Sequence, residues 1–293
     1  MAHCVVDEAE AILDKEYPVL DKGFVRLVDY MGGDERVVQS ARVSYGEGTK
    51  TYREDAALID YLLRNRHTSP FEQLVLTFHV KLPIFVARQW IRHRTARLNE
   101  ISGRYSVLKD DFYMPAPEDL AWQSADNKQG RLDTAVERTE AEAIRAGLDA
   151  AQKQAYKDYS CLVDKGLARE LARINLPLSV YTEWYWQIDL HNLFHFLELR
   201  LDPHAQKEIR LYAEVLFIMA KKVAPRCCAS FEEHILGGVR FSKNEFAELQ
   251  RRLESLSSSQ SSKEQTEKSN NNTSLSGKAL ERFEEKLRSG KQQ

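Results

Sequence analysis

The sequence lacks the features by which several classes of protein are recognised. Only four of its 293 residues are cysteines, at positions 4, 161, 227 and 228, and no CxxC pair is present. Neither a disulfide framework nor a cysteine zinc site is therefore expected. No run of about 18 apolar residues occurs, and the first 17 residues carry five acidic ones, unlike a signal peptide. We expect a protein of the reducing cytoplasm with no membrane partner.

Phosphate-binding and nucleophile motifs are also missing. The chain contains no GxGxxG, no GxxxxGK[ST] and no GxSxG, so neither a dinucleotide fingerprint nor a P-loop nor a hydrolase elbow is present. Neither sign of charge is in large excess, because the chain has 42 Lys and Arg and 44 Asp and Glu, for a formal net charge of -2. A site for an anion must therefore be built locally, from clustered basic residues.

The composition predicts one folded domain with a tail. Residues 255–277 contain almost no apolar side chains and cannot offset the entropy of ordering them, so we predict a flexible tail. A short charged helix is expected at 278–287. We assign 1–20 to an N-terminal extension, 21–240 to the catalytic domain and 241–293 to a helical segment with the low-complexity tail.

Periodicity predicts helices mixed with isolated strands. Residues 24–30 are predicted to form a strand, and alternation of apolar and polar residues predicts two more, at 74–82 and 180–188. Spacing of three to four residues predicts helices, which we place at 35–43, 55–65, 83–93, 134–164, 168–175, 191–200 and 203–223. The last of these would have Asp202 as N-cap and Pro203 at its first position. Without regular βαβ alternation, the fold class is predicted to be α+β, with mixed helices and an antiparallel sheet.

The densest cluster of chemical groups spans residues 92–106. The preceding helix would place Gln89, Arg92 and His93 on one face, and a polar loop would add Asn99, Glu100, Ser102 and Arg104. Guanidinium groups bind phosphates with paired hydrogen bonds, and glycine lets backbone N–H groups approach an oxyanion. Three interpretations remain open from the residues alone: a ligand site, a solvated basic loop, and a nucleic-acid-binding module that uses the same arginines.

Smaller features have structural explanations beside functional ones. His191 and His195 lie four residues apart on a predicted helix and could hold a metal of a hydrolase, although the residue after His191 is not the glutamate of the zincin pattern. Residues 69–72, SPFE, form a capping box with Ser69 as N-cap and Glu72 at the third position. Arg200 closes a helix, where a cation favours the dipole.

Residues 92–105 resemble the signature of the flavin-dependent thymidylate synthases, R-H-R-x2-S-x-N-x2-S-x-R-Y. Seven of its eight fixed positions match, and the departure is Arg97, where the family has serine. Similar segments, such as ARVSY and HTSPFE, extend the resemblance from about residue 21 to about residue 237, and leave the first 20 residues and the tail outside it.

The resemblance implies a reductive methylation. Members of this family convert dUMP to dTMP with methylenetetrahydrofolate as carbon donor, FAD as hydride carrier and NADPH as reductant of the flavin, and they release tetrahydrofolate. It also implies a homotetramer with active sites at subunit interfaces, no catalytic cysteine, no metal ion and no nucleic-acid partner.

The resemblance implies roles for individual residues as well. Arg200 matches the arginine that polarises the uracil ring and is the predicted catalytic residue. The residues expected to bind dUMP are Gln89, Trp90, Ile91, Arg92, Glu100, Ile101, Ser102, Gly103, Arg104, Arg173 and Arg200. Those expected to bind FAD are Ser44, His67, Ser69, Glu72, Arg92, His93, Arg94, Asn99, Glu100, Asp189, His191 and His195.

Overall fold

A computed structural model describes residues 4–43, 52–125, 130–259 and 277–289 of the chain. The chain divides into two units, Met1–Ala229 and Ser230–Gln293. Ser44, a predicted flavin ligand, and most of the predicted flexible tail lie outside the described residues.

The first unit is built around an antiparallel sheet. Its strands are β1 (Glu16–Val19), β2 (Gly23–Met31), β3 (Val75–Pro83), β4 (Arg97–Glu100), β5 (Ala121–Gln123), β6 (Arg131–Ala135) and β7 (Tyr181–Asp189). Five of them form one sheet in the order β1-β2-β3-β7-β4, and β5 pairs with β6 in a separate hairpin. Every pairing in both sheets is antiparallel.

The helices of the first unit vary widely in length. They are α1 (Asp7–Glu10), α2 (Asp34–Arg42), α3 (Tyr52–Arg64), α4 (Ile84–Trp90), α5 (Arg138–Asp164), α6 (Arg169–Ala172), α7 (Leu190–Arg200), α8 (Lys207–Val223) and α9 (Pro225–Phe231), which crosses into the second unit. With the antiparallel sheet they confirm the predicted α+β class. Helices α4, α7 and α8 pack against the sheet.

The core of the first unit follows from the period-two pattern of β3 and β7. Phe78 on β3 and Trp186 on β7 are paired in register, and both are buried. Their neighbours His79 and Tyr185 face the other side, where the two rings stack at 4.9 Å. Because successive side chains alternate between the faces of a strand, the pattern fixed which face carries the core. The three strands predicted from the sequence are confirmed as β2, β3 and β7.

Several predicted boundaries were wrong because of local hydrogen bonds. Residues 134–137 are not helical, since β6 runs to Ala135 and the Glu137 carboxylate caps α5 by accepting from the Thr139 N–H at 3.0 Å. Helix α8 begins at Lys207 rather than at residue 203. Asp202 instead accepts from the His204 N–H at 2.7 Å in a tight turn before the helix.

Two further corrections concern the predicted site. The predicted capping box is absent: Ser69–Gln73 is a short 3-10 turn in which Thr68 precedes the first residue and no side chain caps it. The segment is too short for a capped α-helix, because the chain enters β3 at Val75. Helix α4 ends at Trp90, so Arg92 and His93 follow it in a turn, and part of the predicted loop is the edge strand β4.

The second unit contains a π-helical turn (Glu232–Leu236) and two longer helices, α10 (Lys243–Ser259) and α11 (Lys278–Ser289). The two helices are joined by the ion pair of Glu245 with Lys286 at 2.8 Å. The Arg252 guanidinium lies 5.0 Å above the Phe283 ring, which is fully buried. The short charged helix is thus confirmed, whereas residues 255–259 of the predicted tail belong to α10.

Two general expectations can be compared with the described residues. None of their helices is long and apolar enough to cross a membrane. All four cysteines lie in the described parts of the chain, and they form no disulfide there.

Candidate active site

A cavity of about 350 Å³ opens where the turn after α4 meets the end of β7 and one face of α7. Its walls carry three arginines and two histidines and no carboxylate, so the cavity suits an anionic ligand. The lining residues are Arg92, His93, Arg94, Thr95, Ile188, Asn192, His195, Leu199 and Arg200.

A buried aromatic cluster holds the turn that carries Arg92–Thr95. The Trp90 ring, at the end of α4, packs against Trp184 at 5.6 Å, Trp186 at 5.1 Å and Phe196 at 4.8 Å. Trp90 is fully buried, and the His93 N–H closes a turn onto its carbonyl at 3.0 Å. A large buried ring thus anchors the chain immediately before the basic residues, which fixes the position of the turn.

The second wall of the cavity is a face of α7. Asp189 caps this helix: its Oδ1 accepts from the Asn192 N–H at 2.9 Å, and its two oxygens also accept from Asn192 Nδ2. Asn192, His195 and Leu199 are spaced by three and four residues, so they lie on one side of the helix. Arg200, the last residue of α7, completes this wall.

His93 and Arg200 are in direct contact within the cavity. The Arg200 Nε–H donates to His93 Nε2 at 3.1 Å. Burial, together with the positive charge of Arg200 and the neighbouring His195, lowers the pKa of His93 to about 4. Burial also lowers the pKa of Arg200 from its ordinary value. The imidazole is therefore neutral at physiological pH and can accept a hydrogen bond from the guanidinium.

Two further arginines, Arg104 and Arg173, lie at the loop that follows β4. The start of this loop is held to β7, because the Ile101 N–H donates to the Glu183 carbonyl at 2.9 Å and Thr182 Oγ1 donates to the Glu100 carboxylate at 2.6 Å. A side chain at Gly103 would place its Cβ only 2.9 Å from Arg173 Nη1. Glycine at this position therefore allows Arg173 to lie directly against the loop backbone.

The loop side chains are largely open to solvent in the single chain. Arg104 pairs with Glu170 at 3.0 Å, and more than half of each side chain is exposed. Such an exposed pair contributes little to stability, so Arg104 is available to a ligand or to another chain.

Strand β4 separates the cavity from the loop. Its four residues pair with β7 from Gln187 to Trp184, so the cavity lies beside one end of β4 and the loop beside the other. At a rise of about 3.3 Å per residue, the first and last Cα atoms of this four-residue strand are roughly 10 Å apart. The basic groups that the sequence places within 14 residues therefore form two separate clusters in one chain.

Comparison with known proteins agrees with these features. Residues 26–226 match the family model described as "Thymidylate synthase complementing protein", and residues 239–293 match "Thymidylate synthase ThyX C-terminal domain". Flavin-dependent thymidylate synthases from Treponema denticola and Treponema pallidum are 65% and 59% identical to the chain. The alignments cover 96% and 100% of this chain and 100% and 91% of those relatives, respectively. The chain belongs to the flavin-dependent thymidylate synthase family. It is thus an enzyme.

A solved structure is similar as well. The UMP/dUMP methylase PolB from Streptomyces cacaoi, bound with 5-Br dUMP, superimposes with a TM-score of 0.68 at 33% identity, over 75% of this chain and 98% of PolB. The family resemblance extends beyond residues 21–237, because the second family model and the Treponema pallidum relative both include the C-terminal tail.

The predicted ligand residues that lie in the described part of the chain fall into five places, four of which follow here. The cavity brings together Arg92, His93, Arg94, His195 and Arg200. The exposed strand β4 and the loop after it carry Asn99, Glu100, Ile101, Ser102, Gly103 and Arg104, with Arg173 beside them. Next to the cavity, Asp189 caps α7 and His191 lies in its first turn. The remaining group lies at the 3-10 turn: His67 comes just before the turn, and Ser69 and Glu72 lie within it. The turn contacts α7 through the rings of Phe71 and Phe194, whose centroids are 6.3 Å apart.

Three predicted substrate residues lie at the end of α4 and just beyond it. Trp90 belongs to the buried aromatic cluster, whereas Ile91 is exposed. The buried Oε1 of Gln89 makes no hydrogen bond within the described residues. An unpaired buried acceptor is costly, so Gln89 Oε1 is well suited to accept a hydrogen bond from a ligand.

Sequence reasoning missed four lining residues, Thr95, Ile188, Asn192 and Leu199. The helical spacing of Asn192 and Leu199 with His195 was a signal that could have found two of them. Thr95 and Ile188 come from a turn and a strand end, and no local pattern distinguishes them.

Arg97, the departure from the family signature, is exposed on β4 opposite Gln187 and does not line the cavity. Replacing Arg97 by serine is therefore expected to leave the rate of dTMP formation nearly unchanged and the free energy of unfolding within about 0.5 kcal/mol. Steady-state assays and thermal unfolding measure the two quantities. Arg94→Ser, which removes a cavity arginine, serves as the matched variant and should lose activity. Equal losses in both variants would contradict this assignment.

Proposed function

We propose that this enzyme methylates dUMP to dTMP reductively. In this reaction methylenetetrahydrofolate supplies the carbon, NADPH supplies the reducing equivalents through FAD, and tetrahydrofolate is released. The observation that carries the proposal is the cavity in which Arg92 and Arg94 of the family signature meet Arg200 of α7. The similarity to PolB, whose structure holds 5-Br dUMP, supports a uracil nucleotide as substrate.

The cavity residues fit a flavin nucleotide. Arg92 and Arg94 are donors suited to the pyrophosphate, and no carboxylate on the cavity wall opposes that negative charge. The apolar side chains of Ile188 and Leu199 provide surface for a planar ring. When bound, FAD supplies the hydride that reduces the transferred carbon to a methyl group.

Arg200 is the group that would act on the uracil ring. Its guanidinium is half-buried, so its charge is less screened by water than that of a surface arginine. A fixed cation stabilises negative charge that develops on the ring when its N3 proton is lost. Within the described residues, Arg200 hydrogen-bonds only through Nε, which leaves both Nη groups for the substrate.

We further propose that the active sites form at subunit interfaces of a homotetramer. The cavity and the loop after β4, whose residues are together predicted to bind dUMP and FAD, are separated by the length of β4 within one chain. An exposed loop with Arg104 can instead complete the cavity of a neighbouring copy. Isologous contacts in a tetramer would supply each cavity with a loop.

The alternatives are less well supported. The family assignment does not favour a nucleic-acid-binding module, because it explains the same arginines by nucleotide binding. A metal hydrolase centred on His191 and His195 would need a third ligand, and the described residues contain no cluster of three His, Cys, Asp or Glu side chains. The cytoplasmic location stays a proposal.

An assay of the purified protein tests the main proposal. We expect the protein to bind FAD, with the visible absorption of a flavin, and to oxidise NADPH faster when dUMP is present. With methylenetetrahydrofolate added, dTMP should appear in proportion to the NADPH consumed. Omission of dUMP and omission of folate are the controls. A protein that binds no FAD, or forms no dTMP with all components present, would refute the proposal.

A further inference from the structure

The hydrogen bond between Arg200 and His93 determines the protonation of the imidazole. Every polar hydrogen of a guanidinium is a donor, and arginine offers no acceptor. His93 Nε2, which lies 3.1 Å from Arg200 Nε, must therefore carry a lone pair. A neutral imidazole has one protonated nitrogen, so the proton of His93 is on Nδ1.

The surroundings favour this neutral form. Arg200 and His195 face His93 from α7, while Arg92 and Arg94 flank it in its own turn, and none of the cavity residues is a carboxylate that could stabilise a charged imidazole. Burial, followed by the electrostatic effects of Arg200 and His195, lowers the pKa of His93. The ring is also held in place, since it packs edge-on against Phe196 at 4.9 Å.

The hydrogen bond to His93 holds the guanidinium end of the long Arg200 side chain in place. Arginine loses considerable rotamer entropy when its head is held in one place. Here the backbone of α7 holds one end and His93 accepts from Nε, which restrains the plane of the guanidinium and leaves both Nη groups without a hydrogen bond inside the described residues. A preorganised cation need not reorient when charge develops on a substrate.

We propose that His93 is a positioning residue for Arg200: its unprotonated Nε2 orients the guanidinium for the uracil ring, in addition to any contact of His93 with flavin. This inference rests on the proposed function, in which Arg200 acts on dUMP. The protonation state of His93 can nevertheless be tested without any turnover.

The first experiment examines the tautomer in the complete protein. Histidine is labelled with ¹⁵N in both ring nitrogens, and the signals of His93 are assigned by their loss in His93→Gln. We expect Nε2 to give the resonance of an unprotonated nitrogen and Nδ1 that of a protonated one at neutral pH. A protonated Nε2 would overturn the inference even if the protein makes dTMP, and the expected pattern would stand even if it does not.

The second experiment compares two substitutions of His93. In His93→Gln the amide oxygen can still accept from Arg200, whereas His93→Leu removes the acceptor and keeps the bulk. Loss of a hydrogen bond to a charged group predicts that kcat per bound flavin falls about 10- to 100-fold in His93→Leu. His93→Gln should recover most of it, and the KM for dUMP should change less than kcat.

A matched control is available on the opposite side of the sheet. His79 Nδ1 also lies within hydrogen-bonding distance of an arginine, Arg26 Nη2, at 3.0 Å, but His79 does not line the cavity. His79→Gln should therefore leave kcat unchanged. If His93→Gln loses as much kcat as His93→Leu, or if His93→Leu keeps the original kcat, His93 does not position Arg200.

Discussion

Replacing Arg200 by alanine is expected to reduce dTMP formation by about 10²- to 10³-fold, the effect of removing one preorganised group that stabilises developing negative charge. This loss corresponds to roughly 3–4 kcal/mol of transition-state stabilisation. FAD should stay bound, because Arg92 and Arg94 remain to hold its phosphates. Single-turnover measurement of dTMP and titration with FAD distinguish the two effects.

Arg210 provides the control for this substitution. It lies on α8, donates to the Pro203 carbonyl at 2.8 Å and does not line the cavity. Arg210→Ala should therefore keep its activity. Undiminished dTMP formation by Arg200→Ala would refute the role of Arg200, and loss of FAD together with activity would show that Arg200 serves the flavin rather than the uracil.

Mixing two inactive variants is expected to restore activity if each active site combines a cavity from one chain with a loop from another. Arg92→Ala removes a cavity group, and Arg104→Ala removes a loop group. When the two variants are co-expressed and assemble at random, about a quarter of the sites receive an intact cavity and an intact loop. Tetramers carrying both chains can be isolated with two affinity tags and assayed for dTMP.

The control for this experiment uses two defects on the same wall. Arg92 and Arg94 both line the cavity of a single chain, so every cavity in a mixed assembly of Arg92→Ala with Arg94→Ala carries one defect. No activity should return in that pair. If the mixture of Arg92→Ala with Arg104→Ala is equally inactive, the site is not shared between chains in the proposed way.

Patterns with a short period predicted strands β2, β3 and β7 and most of the helices, and local hydrogen bonds explain the two helix starts that were misplaced. The alternation of β3 and β7 located both strands, because one face of each is buried on helices. The start of α8 was misplaced because Asp202 and Pro203 are typical of a helix start, but here they belong to a separate turn. Both residue types serve turns and caps equally well, so sequence alone does not distinguish them.

The family motif located the basic residues of the site but not their arrangement. Residues 92–105 read as one continuous segment, whereas the structure divides them between a cavity and a loop on either side of β4. That division depends on pairing with β7, more than 80 residues away in sequence. The contact of Arg200 with His93 likewise joins residues 107 positions apart, and no local pattern encodes it.

The buried aromatic cluster also gives the enzyme a spectroscopic property. The chain has four tryptophans. Three lie together in the core beside the cavity, namely Trp90, Trp184 and Trp186, whereas Trp122 is exposed on β5. Most of the tryptophan side chains therefore lie beside the candidate site. A flavin bound in the cavity, as proposed, would be a nearby energy acceptor, so tryptophan fluorescence of the unlabelled chain should fall when the cofactor binds.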